Sequence, residues 1–225
     1  QPPVSKKLNY MNKDALNKAV KFWDRAASSY DREEKRDEEK YQNTINQLAQ
    51  YLKSEYLVLD FGCGTGLISN EISPLVQQIH AIDFSHNMIE LAKTKAQKHQ
   101  ISNVQYKQST IFDDYLKPAS YDVILCFHVL HLLESAERVV SRIHELLKPE
   151  GLIVSVTPCM AEKPLMNSLF SVLNKLGLTP KINSLKLQDL KKLFAEENFE
   201  IIDHHLLPKT SNQHFIVCKK RPLGQ

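Results

Sequence analysis

Three of the chain's six glycines, Gly62, Gly64 and Gly66, fall within five of its 225 residues. They sit in VLDFGCGTG, Val58 to Gly66, which reads as an apolar strand ending at Asp60, a bare turn, and then a helix. A turn without side chains lets the backbone approach a ligand closely and aims the following helix N-terminus at it. The spacing is G-x-G-x-G, and Leu67 stands where the dinucleotide fingerprint has its third glycine. Asp60, just before the turn, would repel a pyrophosphate and suits a cationic ligand. Seventeen residues past Gly66, Asp83 closes the next apolar run. An acid about 20 residues beyond such a turn, at a strand end, can hold both hydroxyls of a ribose. Capping the next helix is its alternative role, for which Ser85 is better suited.

A second group of chemistry-bearing residues lies in YDVILCFHVLHLL, Tyr121 to Leu133. His128 and His131 are candidate general bases, since an imidazole titrates near neutral pH. Packed structural histidines are the competing reading. The H-x-x-H spacing lacks a third ligand, so no metal site is expected. His204, His205 and His214 read as surface or sheet residues. The four cysteines show no C-x-x-C pair and read as reduced thiols of a cytoplasmic protein.

These groups need a scaffold, and the chain's texture supplies one. From Tyr56 onward short apolar runs alternate with helical stretches, the rhythm of β-α-β units and a parallel sheet. Strands are expected at Tyr56 to Asp60, Gln78 to Ile82, Val104 to Gln108, Asp122 to Phe127 and Leu152 to Thr157. Helices are expected between them, at Leu67 to Val76, His86 to His99 and Ser135 to Leu147. Beyond Pro158 two helical stretches, Lys163 to Leu176 and Leu187 to Glu196, precede strands at Phe199 to Leu206 and His214 to Lys219. The seven-residue connection between those strands is too short for a crossover helix, so they should pair antiparallel.

The N-terminal 55 residues read as helical and polar, with Phe22, Trp23, Ala26 and Tyr30 at helical spacing, then Tyr41, Ile45, Leu48 and Leu52. The run Asp31 to Lys40, ten charged residues, reads as a solvated face with pairs such as Asp31–Lys35 and Asp37–Lys40. The expectation is one doubly wound α/β domain over residues 1–225: a helical cap (1–55), a cofactor-binding half (56–157) and a substrate-side half (158–225). With 29 basic against 26 acidic side chains, a net +3 is too mild to imply a nucleic-acid binder. The longest mostly apolar run, Val123 to Leu133, is 11 residues, short of the roughly 20 a membrane helix needs.

The sequence of strand, Asp60, three glycines, helix, strand and Asp83 resembles the class I S-adenosylmethionine-dependent methyltransferases over about Tyr56 to Thr157. The resemblance implies a Rossmann-like sheet of seven strands, mostly parallel, with an antiparallel C-terminal strand. Asp60, Gly62, Cys63, Gly64 and Gly66 would face the methionine portion of S-adenosylmethionine, Asp83 the ribose, and Phe84 the adenine. Met88 and Ala92 continue the family's helix pattern. Thr110 and Ile111 fall in the adenine-contacting turn, where many members carry an acid; Thr110 departs from that, and Asp113 lies near. Phe127 closes the fourth strand beside the cofactor. Substrate-facing candidates are His128, Thr157, Trp23 and Tyr30, the last two offered by the N-terminal helices as a lid. The Asn/Asp-Pro-Pro-aromatic motif of base-modifying members is replaced by Cys126-Phe127-His128-Val129, which favours a small-molecule acceptor. FWDRAASSYD, Phe22 to Asp31, resembles the opening of small-molecule members, including those that methylate quinone precursors. A non-catalytic protein retaining this fold, and a nicotinamide-dependent oxidoreductase, are the alternatives.

Overall fold

A computed structural model describes residues 13–34, 36–162, 182–207 and 212–222. Seven strands form one sheet: β1 (Leu57–Phe61), β2 (Gln78–Asp83), β3 (Val104–Gln108), β4 (Tyr121–Phe127), β5 (Leu147–Pro158), β6 (Phe199–Leu206) and β7 (Gln213–Lys220). Their order is β3-β2-β1-β4-β5-β7-β6. The pairings β1–β2, β1–β4, β2–β3 and β4–β5 are parallel, while β7 runs antiparallel to both β5 and β6. The expected sheet, including the antiparallel last pair, is what forms. The chain reverses its lateral direction between β1 and β4, and the carboxyl ends of those strands are where ligands of open α/β sheets bind.

Among the described residues six α-helices flank the sheet: α1 (Lys13–Glu34), α2 (Glu38–Ala49), α3 (Leu67–Ile72), α4 (His86–Lys98), α5 (Ala136–Leu146) and α6 (Leu187–Glu196). The expected helix over Lys163 to Leu176 lies outside the described residues. Alternation along the central strands sorts side chains to the two faces. Val58, Val123, Leu125, Val154 and Val217 join Ile45, Leu48 and Ile72 of α2 and α3 in one core. Leu59, Ile124, Ile153 and Ile216 join Val139, Ile143 and Phe194 of α5 and α6 in the other. Central strands covered on both faces explain why their sequences read as unbroken apolar runs. Leu59, fully buried in β1, would cost about 2–5 kcal/mol if cut back to alanine.

The strand β5 begins five residues earlier than expected. Lys148-Pro149-Glu150-Gly151 reads as a helix stop, yet Leu147 already pairs with Tyr121, with a register shift before Val123. Asp122 holds that irregular stretch: its carboxylate accepts Lys148 Nζ at 2.8 Å and the Leu57 backbone N–H at 2.8 Å.

Candidate functional site

The turn after β1 is fastened to the end of β2. Gly62 N–H and Cys63 N–H both donate to the Ile82 carbonyl, at 2.8 and 3.0 Å. Gly64 N–H donates to Asp83 Oδ2 at 3.0 Å, and Gly66 N–H to the Cys63 carbonyl at 2.9 Å. Four of the turn's donors are therefore already paired inside the protein. A pyrophosphate needs such N–H groups pointing outward. The turn instead suits a ligand that wants close approach and carbonyl or carboxylate partners. Gly62 has φ +76°, and a β-carbon there would overlap Val129 Cγ2 at the end of β4. Glycine is what lets β1 and β4 close side by side at this point.

Both sequence-identified acids sit at this turn. Asp60 is 3% exposed and accepts Ser69 Oγ of α3 at 2.5 Å. Burial pushes its carboxyl up from 3.8 to about 6; the Ser69 hydrogen bond opposes the rise and nearby Asp83 adds to it. Asp83 is also pushed up to about 6 by burial, against the pull of the Ser85 and Gly64 backbone N–H groups. Two desolvated acids that resist ionisation in the free protein are a receptor for positive charge. Asp83 has a structural role that spacing alone did not reveal, since it links the glycine turn to Ser85 N–H at 2.8 Å. Helix α4 is capped by Ser85 Oγ, which accepts Met88 N–H at 3.2 Å.

The N-terminal helix does not present its charged end to solvent alone. Asp24 and Asp31 lie two turns apart on one side of α1, and both reach the cofactor-binding half. Asp24 Oδ1 accepts Ser85 Oγ at 2.5 Å and Asn87 N–H at 3.2 Å. Asp31 accepts Thr65 Oγ1 in the glycine turn and Lys95 Nζ of α4 at 2.5 Å. The expectation of Asp31 as part of a solvated face is corrected: packing of α1 across α4 carries its last turn onto the glycine loop. Lys35 lies outside the described residues. Asp37 and Lys40 do meet, but through the Lys40 backbone N–H at 3.1 Å, as a cap for α2. With α1 so fixed, the Tyr30 ring edge lies over Gly64, 3.6 Å from where a β-carbon would stand. Trp23 packs behind Tyr30 with ring centroids 6.1 Å apart.

A cleft, open in part to solvent, results. Tyr30, Lys40, Tyr41 and Thr44 form one wall, and Asp60, Gly62, Cys63, Phe127 and His128 the other. Lys40, Tyr41 and Thr44 were missed by sequence reasoning; their i, i+1, i+4 spacing on α2 would place them on one helical side. One cation and one buried acid across a single cleft match the carboxylate and ammonium of an amino-acid terminus. Asp83 at the far side of the glycine turn matches a ribose. S-adenosylmethionine carries all three features, so these residues fit it.

The adenine side is less convergent. Phe84 is half-buried, and its carbonyl accepts Gln108 Nε2 at 3.0 Å. Met88 and Ile111 are buried. Thr110 Oγ1 accepts the Phe112 N–H at 3.3 Å, and Asp113 accepts Ser109 Oγ at 3.0 Å. Both side chains thus brace their own turn.

At the end of β4, His128 adopts φ +56°, uncommon for a residue with a side chain, while its N–H donates to the Val156 carbonyl at 2.8 Å. Burial lowers its imidazole to about 4, with Lys40 adding to the effect. His131 is 7% exposed, and its Nδ1 has no hydrogen-bond partner among the described residues. Burial, then His128, lowers it to about 3. The structure brings His128 to the cleft with Asp60 and Phe127. It does not bring Thr157, which is fully buried on the opposite sheet face, where it pairs in register with His214. Among the described residues no helix is long and apolar enough to cross a membrane.

The methyltransferase-domain family profile matches residues 52–210. The chain is 27% identical over 143 residues to the uncharacterised methyltransferase YcgJ of Bacillus subtilis, covering 64% of this chain and 56% of that protein. It is 27% identical over 169 residues to a ubiquinone biosynthesis O-methyltransferase of Glaesserella parasuis, covering 69% and 71%. The crystal structure of YcgJ superposes on 80% of this chain and 99% of its own, with a TM-score of 0.69 at 18% identity. The phosphoethanolamine N-methyltransferase 2 of Haemonchus contortus, crystallised with S-adenosylhomocysteine, covers 80% of this chain and 53% of its own, with a TM-score of 0.66 at 16% identity. Sheet order, paired acids around a glycine turn and a profile spanning most of the sequence converge: the chain belongs to the class I S-adenosylmethionine-dependent methyltransferase family.

Proposed function

We propose that this protein transfers a methyl group to a small-molecule acceptor, in the cytoplasm, with the acceptor bound beside His128 at the carboxyl end of β4. The observation that carries the reading is the cleft in which Lys40, Asp60 and His128 meet below Tyr30. S-adenosylmethionine supplies a methyl on a sulfonium, and transfer is an in-line displacement that needs the acceptor atom held about 3 to 3.5 Å from the methyl carbon. Asp60 and the turn's carbonyls offer the negative surroundings a cation needs. Tyr30, anchored through Asp24 and Asp31, covers that end of the cleft and excludes water. His128, uncharged at neutral pH, offers an acceptor for an acceptor-molecule hydroxyl or ammonium proton, orienting its lone pair. His131, also neutral, packs behind it. The mild charge and the absence of the base-modifying motif support a small molecule over nucleic acid. Similarity to a ubiquinone biosynthesis O-methyltransferase supports an oxygen atom as the acceptor. Four free, buried cysteines among the described residues support a reducing compartment.

The test has two arms. Calorimetric titration should show saturable binding of S-adenosylhomocysteine and none of NAD; the reverse would remove the reading. Incubation of the full chain with methyl-labelled S-adenosylmethionine and a metabolite extract should label a small molecule. Binding without any labelled product would leave the non-catalytic alternative. Asp83→Asn, which keeps an oxygen for Gly64 N–H, should weaken cofactor binding about tenfold or more without loss of fold.

A further inference from the structure

We propose that Cys159, Glu162 and His214 form a second site, for a divalent cation of the zinc class, on the sheet face covered by α5 and α6. The ligand-capable atoms of the three residues all lie within 4.8 Å of one another. Sequence spacing hides the set, since its members stand at 159, 162 and 214; strand pairing assembles it. Thr157 pairs in register with His214, and one step further the Cys159 N–H donates to the Asn212 carbonyl at 2.8 Å. Two-residue alternation then puts Thr157 and Cys159 of the β5 edge on the same face as His214 of β7. The one-turn 3₁₀ helix Met160–Glu162 folds Glu162 back onto His214, with Nε2 and Oε2 3.3 Å apart.

The donors are oriented as metal ligands usually are, by partners on their remote atoms. His214 Nδ1 lies 2.8 Å from His204 Nε2, and the two rings stack with centroids 5.1 Å apart. Glu162 Oε1 accepts the Leu187 N–H at the start of α6 at 3.1 Å, which turns Oε2 toward His214. Cys159 is fully buried and His214 3% exposed, while Glu162 is exposed, so the site has dry walls and an open mouth. Zinc bonds of about 2.0 to 2.3 Å put tetrahedral ligand atoms about 3.5 Å apart. The histidine–glutamate pair already has that separation, and the thiol needs only a rotamer-scale approach. One sulfur, one imidazole and one carboxylate oxygen select a borderline cation over magnesium or calcium, leaving a fourth position for water. Thr157 Oγ1, fully buried with no hydrogen-bond partner among the described residues, stands beside this position on the same face. Binding would release the Cys159 thiol proton to solvent, while His214 would coordinate as a neutral imidazole through Nε2, keeping its proton on Nδ1 toward His204 Nε2.

The inference is independent of methyl transfer. Chelator-stripped full-length protein is titrated with Co²⁺ and then with Zn²⁺, with metal content measured after gel filtration. The expected result is one equivalent bound and a thiolate-to-cobalt charge-transfer absorption that zinc abolishes. Cys159→Ser should lose that absorption. Glu162→Gln, an exposed position that leaves folding intact, should weaken binding about tenfold or more. Zinc should raise the melting temperature of the parent more than that of Glu162→Gln. No saturable binding, or binding undiminished in both variants, would overturn the site and leave His204, His214 and Glu162 as a metal-free hydrogen-bond chain.

Discussion

Asp60→Asn should make the ligand-free protein more stable while making it a poorer receptor. The parent carboxyl is 3% exposed and rises from 3.8 to about 6, with burial the largest cause. At 1.36 kcal/mol per pH unit, that rise corresponds to about 3 kcal/mol of penalty on the ionised form. The folded-state value lies above the unfolded one, so the folded chain takes up the proton first as pH falls. The penalty is complete above about pH 6 and relieved progressively toward 3.8. The amide is nearly isosteric, can still accept from Ser69 Oγ, and carries no charge at any pH. Urea unfolding at pH 8 should therefore find Asp60→Asn more stable than the parent by about 1–3 kcal/mol. By pH 5 the gap should have narrowed to a fraction of that value. The comparison must be between the two proteins at each pH. His128 and His131, lowered to about 4 and about 3, act oppositely, since the unfolded chain protonates first below about 6.5. Affinity for S-adenosylmethionine should fall about tenfold, the worth of one charge-assisted contact. A variant that is less stable at pH 8, or a gap that does not change with pH, would refute the account of Asp60 as a desolvated receptor.

Two further outcomes follow from the same geometry. Asp24→Ala removes the partner of Ser85 Oγ and Asn87 N–H, so α1 should hold Tyr30 less firmly over the glycine turn; calorimetry should find S-adenosylhomocysteine binding weakened by roughly fivefold, about 1 kcal/mol, and unchanged affinity would dismiss α1 as a clamp. With the His128 imidazole at the cleft and the buried His131 both held neutral by burial, the methyl-transfer rate at saturating cofactor should show no imidazole inflection between about pH 6 and 8. An inflection near 6.5 that His128→Gln abolishes would show instead that His128 is solvated and titrates normally.

The sheet was legible because central parallel strands must be apolar on both faces, and each such run in the sequence became a strand. The glycine turn was legible because only glycine tolerates its positive φ, and Asp60 and Asp83 because strand ends place them there. What escaped was whatever depended on helix placement. Asp31 is indistinguishable from its nine charged neighbours until the crossing of α1 over α4 is known. Lys40 and Thr44 look like surface residues until α2 becomes a cleft wall. Thr157 looked like a substrate contact from its position after β5, but strand parity turned it to the other face. The Cys159–Glu162–His214 cluster needed the β5–β7 register, which no local spacing encodes.

The hydrogen bonds that tie the glycine turn to Ile82 and Asp83 form without any ligand. A cradle already locked loses little conformational entropy when filled, so the floor contributes affinity with a small ordering cost. The polar ties of α1, by contrast, can open without disturbing either core. On the proposed reading, ligand residence time would be set by the roof, and exchange of cofactor for its spent product by how often Asp24 and Asp31 let go.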